Sequence, residues 1–165
     1  MSKFLSFQGT ITKITNFSIG ANDKDTGCYK LMSVENESGN LVNFVVTPNT
    51  YFVDHVMVAI GDKVTGFYDS SVPVPVPMIF PPQYTAVVMA RRTLYQNVKV
   101  DFFNNELVSS DNMLKLNLAP CTQLILENDQ AFTQNPSNRN LIAVYGVSTK
   151  SIPAQTVPYK IIVMC

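Results

Sequence analysis

The sequence predicts an all-β protein built twice over, and three observations carry that prediction. Valine, isoleucine, threonine, tyrosine and phenylalanine are abundant, and such side chains fit pleated, half-buried surfaces. Ten prolines and seven glycines interrupt the 165 residues, as many short strands require, and no long stretch keeps a helical period. The third observation is an echo: the plan of Asn43–Met89, an apolar strand, a turn, further strands and a proline-rich segment, returns in the second half.

The echo is visible in offsets, the first thing to seek in a chain of this length. Thr47-Pro48-Asn49-Thr50 falls on Ala119-Pro120-Cys121-Thr122 at an offset of 72. Val64-Thr65-Gly66-Phe67 falls on Ile142-Ala143-Val144-Tyr145 at 78, and Tyr84–Ala90 on Tyr159–Cys165 at 75. Pro75 and Pro153 also match at 78. The expectation is an internal duplication with two domains, 1–91 and 92–165, each within the usual size range.

Phe4 to Thr15 opens as a strand with Leu5, Phe7, Gly9 and Ile11 on one face. Ile14 falls off that face. A one-residue slip predicts a bulge, and Gly9 would permit a sharp bend there. Asn16 to Gly27 reads as a loop. Its Asp23, Asp25 and Gly27 hint at a calcium loop, but the twelfth position from Asp23 is Val34, where such a loop needs Glu. Cys28–Glu35 and Leu41–Val46 form a hairpin about Glu37-Ser38-Gly39-Asn40. Tyr51 to Ile60 is a short helix or irregular cap. Lys63–Asp69 and Tyr84–Arg91 are strands, separated by a rim with prolines at 73, 75, 77, 81 and 82.

The second half is terser. Strands are expected over Thr93–Phe103, Met113–Leu118, Thr122–Leu126, Leu141–Ser148 and Tyr159–Met164, with a polar loop over Asp129–Arg139. One hairpin arm is missing. Three strands, a cap and two more strands is the order of the five-stranded OB barrel. The fold class predicted is therefore all-β, as two tandem small OB-like barrels, the second shorter.

The runs Thr50-Tyr51-Phe52, Gly61-Asp62-Lys63-Val64, Gly66-Phe67-Tyr68-Asp69 and Pro81-Pro82-Gln83-Tyr84 resemble an uncharacterised clostridial-type bacterial β-barrel domain. Such domains are sometimes joined to copper-amine-oxidase-like N-terminal domains. The resemblance implies an OB-like fold and no known activity. It covers the first half well and the second only through the repeat. No catalytic residue comes with it, and no ligand cluster supports copper.

Composition narrows function further. The net charge is zero. Through Ala90 there are five Lys and seven Asp or Glu, and from Arg91 seven Lys or Arg and five Asp or Glu, so the halves sit near −2 and +2. No basic block gives the footprint of a nucleic-acid binder. No apolar run reaches membrane-spanning length and no signal peptide is evident, so a cytoplasmic protein is expected. Cys28, Cys121 and Cys165 are too scattered for a disulfide framework or zinc pair and read as small buried hydrophobes.

Nucleotide-binding and hydrolase motifs are absent. The single histidine, His55, has no evident nucleophile or metal-ligand set around it. Asp54, Asp62 and Asp69 fit turns, where Asp bonds nearby backbone. The unusual segment is Val72-Pro73-Val74-Pro75-Val76-Pro77-Met78-Ile79-Phe80-Pro81-Pro82. Alternating proline favours an extended, pre-ordered chain, and apolar residues between the prolines mark a contact surface when exposed. The candidate binding residues are Val74, Val76, Ile79, Phe80, Tyr84 and Tyr68, with Arg91 and Arg92 the nearest cations. The expected function is non-enzymatic binding or assembly, with a protein partner or self-association and no cofactor. The alternative is an OB-type binder of single-stranded nucleic acid or oligosaccharide, needing aromatics beside Arg91, Arg92 or Lys63. A small enzyme using Asp54, His55 and Asp69 is the third reading.

Overall fold

The computed structural model describes residues 3–18, 23–72 and 80–165. The chain divides into two compact units, Met1–Arg92 and Thr93–Cys165. Among the described residues the regular elements are β-strands and two 3-10 turns, Asp23–Asp25 and Val53–His55.

Unit 1 contains β1 (Phe4–Asn16), β2 (Lys30–Glu35), β3 (Leu41–Val46), β4 (Tyr51–Phe52), β5 (Lys63–Asp69), β6 (Gln83–Thr85) and β7 (Val88–Arg91). They form one mixed sheet in the order β4-β7-β5-β1-β2-β3-β6. The long β1 is its spine. Its first half runs antiparallel to β5, from Phe4↔Asp69 to Thr10↔Lys63, and its second half antiparallel to β2. The register slips between Ile11 and Lys13, the bulge foretold by the change of phase before Ile14. At Gly9 a β-carbon would stand 2.9 Å from Val34 Cγ1 and closer still to the Glu35 carbonyl. Only a glycine lets β2 approach there. The apolar face fills the core with Ile11, Val34, Phe44, Val64 and Met89.

The segment expected as one strand, Tyr84–Arg91, is two. β6 lies parallel to β3 and β7 antiparallel to β5. Between them the Ala86 N–H donates to Val45 O at 2.9 Å, while the Val87 N–H donates to Phe67 O at 2.8 Å. The chain changes neighbours within two residues.

Unit 2 contains β8 (Asn97–Phe103), β9 (Leu114–Leu116), β10 (Gln123–Leu126), β11 (Arg139–Tyr145), β12 (Ala154–Thr156) and β13 (Lys160–Val163). β10-β13-β11-β8 form one mixed sheet, and β12 and β9 a separate parallel pair. Phe103, Leu116, Leu141, Ile161 and Val163 pack the core. β12 was not foreseen in the sequence.

Four pairings recur. In unit 1, β1 and β5 are antiparallel, β5 and β7 antiparallel, β4 and β7 parallel, and β3 and β6 parallel. In unit 2 the same holds for β8 and β11, β11 and β13, β10 and β13, and β9 and β12. The registers agree too. Tyr51↔Val88 answers Gln123↔Lys160, an offset of 72 at both residues. Val64↔Arg91 answers Leu141↔Val163, giving 77 for Val64 and 72 for Arg91. Gly9↔Val64 answers Asp101↔Leu141, giving 92 for Gly9. The offsets of 78 and 75 seen in the sequence therefore become 77 and 72. Both units also hold a cis proline, Pro81 and Pro153, again 72 apart, so Pro153 answers Pro81. Pro75, its match in the sequence, lies outside the described residues.

The offset falls from 92 at β1 to 72 at β7. Unit 2 has no counterpart to the second half of β1 or to β2. A short crossing replaces them, held by the bridges Phe103↔Ser109 and Val108↔Lys115. The strands of both units lie in mixed sheets rather than closed barrels. Pro158 stands where Ala86 stands in unit 1, and it has no N–H to donate to the neighbouring strand.

Candidate functional site

Val74, Val76 and Ile79 lie outside the described residues, but both ends of their segment are placed. At its start Asp69 Oδ1 accepts the Ser71 N–H at 3.0 Å and the Ser71 hydroxyl at 2.6 Å, and Asp69 O accepts the Val72 N–H. At its end Pro82 O accepts the Asn43 N–H of β3 at 2.9 Å. The segment leaves the end of β5 and returns beside β3. Phe80, before cis Pro81, is 86% exposed.

Between these two ends the aromatic rings gather. Tyr68 of β5 and Tyr84 of β6 are stacked, with centroids 3.9 Å apart and planes 7° apart. Phe44 lies beneath, 6.3 Å from Tyr68. Gly66 makes the room, since a β-carbon there would fall 2.5 Å from Phe44 Cζ. Burial pushes the Tyr68 hydroxyl up to about 12, and the adjoining Tyr84 phenol adds to this by charge and hydrogen bond.

Arg91 and Arg92 are exposed but stand elsewhere. Arg91 pairs with Val64, four positions along β5 from Tyr68, or about 13 Å at strand spacing. The Arg92 N–H is tied to Lys63 O. The structure thus joins Tyr68 and Tyr84 but does not set the arginines beside them.

The three aspartates singled out as candidates, Asp54, Asp62 and Asp69, stand at turns. Asp69 caps the rim, Asp62 Oδ2 accepts the Ala59 N–H at 2.8 Å, and Asp54 and His55 both have positive φ in the 3-10 turn after β4. His55 lies edge-on to Tyr51 at 5.3 Å. Among the described residues no three His, Cys, Asp or Glu side chains gather as metal ligands, and no helix is long and apolar enough to cross a membrane. The cysteines correct an expectation: Cys28, Cys121 and Cys165 are all exposed. Cys28 and Cys121 occupy turns, where side chains face water.

Two features of unit 2 were not singled out in the sequence. One is a polar cluster on β8. Lys99 pairs with Asp111, whose Oδ1 also accepts the Ser109 hydroxyl at 2.7 Å. Buried Asp101 accepts the Ser110 hydroxyl at 2.6 Å. Tyr145, in the place of Tyr68, is pushed up by burial and then by the Asp111 charge. The other is a group of exposed rings and aliphatic side chains, Leu94, Tyr95, Val147 and Tyr159. The turn Ser109-Ser110-Asp111-Asn112 signals the first. Nothing in the local pattern signals the second.

No family model matches the chain, and neither a curated protein nor a solved structure matches it.

Proposed function

We propose that the chain is a non-enzymatic binding or assembly module of two OB-like repeats that arose by internal duplication. Its contact surface is the proline-aromatic rim, and its partner is a protein, with a second copy of the chain as the first case to test. The observation that carries this reading is Phe80: a large apolar ring left almost wholly in water at the mouth of an otherwise apolar segment. Exposed apolar surface of this kind marks interaction sites. The stacked Tyr68–Tyr84 pair gives the rim a stiff base, and rigid contacts lose little entropy on binding.

The OB-like reading is supported by the amides of Ala86 and Val87, which reach β3 on one side and β5 on the other. A closing strand that serves both neighbours is what a five-stranded barrel needs. The duplication is supported by the four shared pairings and by the offset of 72 that β4, β7 and the cis prolines share.

Size exclusion with light scattering tests the function. Wild type is expected to associate, and a variant carrying Val74→Ser, Val76→Ser and Ile79→Ser to be a folded monomer. Two monomers of equal stability would sink self-association through the rim, and binding to oligonucleotides and glycans at low salt would then be measured.

A further inference from the structure

Unit 2 carries an exposed platform built with unusual care. Tyr159 is 56% exposed, yet the phenol end of its ring lies against Gly146, where a β-carbon would stand 2.8 Å from Cζ and nearer still to the hydroxyl oxygen. Any side chain at 146 would lift the ring. The Tyr159 hydroxyl points at Tyr95 O, 3.5 Å away, and the Asn97 carboxamide donates to Gly146 O at 3.0 Å. These contacts draw together two segments, Leu94–Asn97 and Gly146–Val147, with Tyr159 between them. The bridge Thr93↔Gln96 holds Leu94 and Tyr95 at the tip of a tight turn, 92% and 82% exposed, and Val147 is 91% exposed. These two neighbouring segments and Tyr159 carry two tyrosine rings, two aliphatic side chains and two carboxamides. None of the seven residues carries a charge.

An uncharged, aromatic surface of fixed shape selects its occupant. Nucleic acid needs cations along the platform, and a charged peptide would lose hydration without a counter-charge. Proline-rich extended segments, by contrast, dock into aromatic-lined grooves and lose little backbone freedom in doing so. This chain contains such a segment. Val72-Pro73-Val74-Pro75-Val76-Pro77 alternates strictly, and from Ser70 to Tyr84 there is no charged residue.

We propose that the Leu94–Tyr95–Val147–Tyr159 platform is the receptor for the Val72–Pro77 segment of a second copy of the chain. The inference rests on the rim being an assembly surface and names what the rim binds. The contact is heterologous, rim on platform. A joined pair therefore keeps one free rim and one free platform between its two copies, and association continues into rings or open chains.

Mixing two variants tests this. The first, Val74→Ser with Val76→Ser and Ile79→Ser, keeps the platform. The second, Leu94→Ser with Tyr95→Ser, changes only the exposed turn tip and keeps the rim. Each alone is expected to be a folded monomer by light scattering and circular dichroism. Mixed, they are expected to form a 1:1 dimer and nothing larger, through the one intact rim and the one intact platform. If the second variant assembles like wild type while the first does not, the rim still works and the platform assignment is overturned. If both are monomers and the mixture stays monomeric, the contact is not rim on platform. If wild type itself is monomeric, the self-association reading falls, and this inference with it.

Discussion

The ring of Tyr68 lies on that of Tyr84 with planes 7° apart and centroids 3.9 Å apart, although 15 residues, the whole proline rim among them, lie between them in the chain. The stack has a titration signature. Burial, with Tyr84 adding to it, raises the Tyr68 hydroxyl to about 12, against about 10 for an unfolded tyrosine. A group whose folded value is raised keeps its full stabilising effect below the unfolded value and loses it as pH climbs through the folded one. Stability against urea should therefore fall between pH 10 and 12. Tyr68→Phe should flatten that fall, and Tyr84→Phe should lower the Tyr68 transition seen by phenolate absorbance. An unchanged slope in Tyr68→Phe would mean another group governs the alkaline limb.

Gly66 and Phe44 offer a packing test. Phe44 is fully buried, and three of its ring carbons lie 2.5 to 2.9 Å from where a Gly66 β-carbon would be. Gly66→Ala should cost about 1–3 kcal/mol, the usual range for overpacking a core. Phe44→Leu placed on top of it should recover part of the loss, since it removes the colliding atoms. Urea midpoints of the two single variants and the double variant measure the coupling. Additive losses would show that the contact is not the cause.

Thr50 and Thr122 test the equivalence of the units. Thr50 Oγ1 accepts the Thr47 N–H at 3.0 Å and donates to Ala86 O at 2.7 Å. Thr122 Oγ1 accepts the Ala119 N–H at 3.3 Å and donates to Pro158 O at 2.9 Å. Each hydroxyl fastens a turn to the junction between two strands of its own unit, β6 and β7 or β12 and β13. Valine keeps the shape and leaves both backbone partners unmatched, at about 1–3 kcal/mol for buried groups. Thr50→Val and Thr122→Val should lower stability by similar amounts. A silent Thr122→Val would mean that the second turn is held by other contacts.

The elements legible in the sequence are those with local punctuation. Leu41–Val46 and Lys63–Asp69 coincide with observed strands, bounded by the Gly39 turn and by Asp69, whose carboxylate caps the turn at Ser71. The bulge in β1 shows as a break of two-residue period between Ile11 and Ile14. The elements that escape depend on partners distant in sequence. The change of neighbour at Ala86 and Val87 is decided by Val45 and Phe67. β12 is three residues long and lies between Pro153 and Pro158, so no alternation could reveal it. At the candidate site, Tyr68 and Tyr84 read as aromatics on a rim, and they do meet. Arg91 is near Tyr84 in sequence, but seven residues of extended chain carry it away. Tyr95 and Tyr159 read as strand residues, but the Thr93↔Gln96 bridge sets Tyr95 at a turn tip and the bare backbone of Gly146 admits the Tyr159 phenol beside it.

Asp111 governs the acid side. Burial works to raise its carboxyl, but hydrogen bonds from Lys99, Ser109 and the Met113 amide, with the Lys99 charge, outweigh this and hold it below its ordinary value. A depressed carboxylate stabilises the fold fully above its unfolded value, near 3.9, and that contribution is lost as pH falls through the folded value. Unit 2 should therefore lose stability below about pH 4. Asp111→Asn should be less stable at neutral pH and lose less on acidification. Lys99→Met should raise the Asp111 transition, which carboxyl carbon NMR can follow. Because the Lys99–Asp111 pair is partly open to water, salt should weaken the effect. If 1 M salt left the pH dependence unchanged, the Ser109 and Met113 hydrogen bonds, rather than the Lys99 charge, would be what holds the carboxyl down.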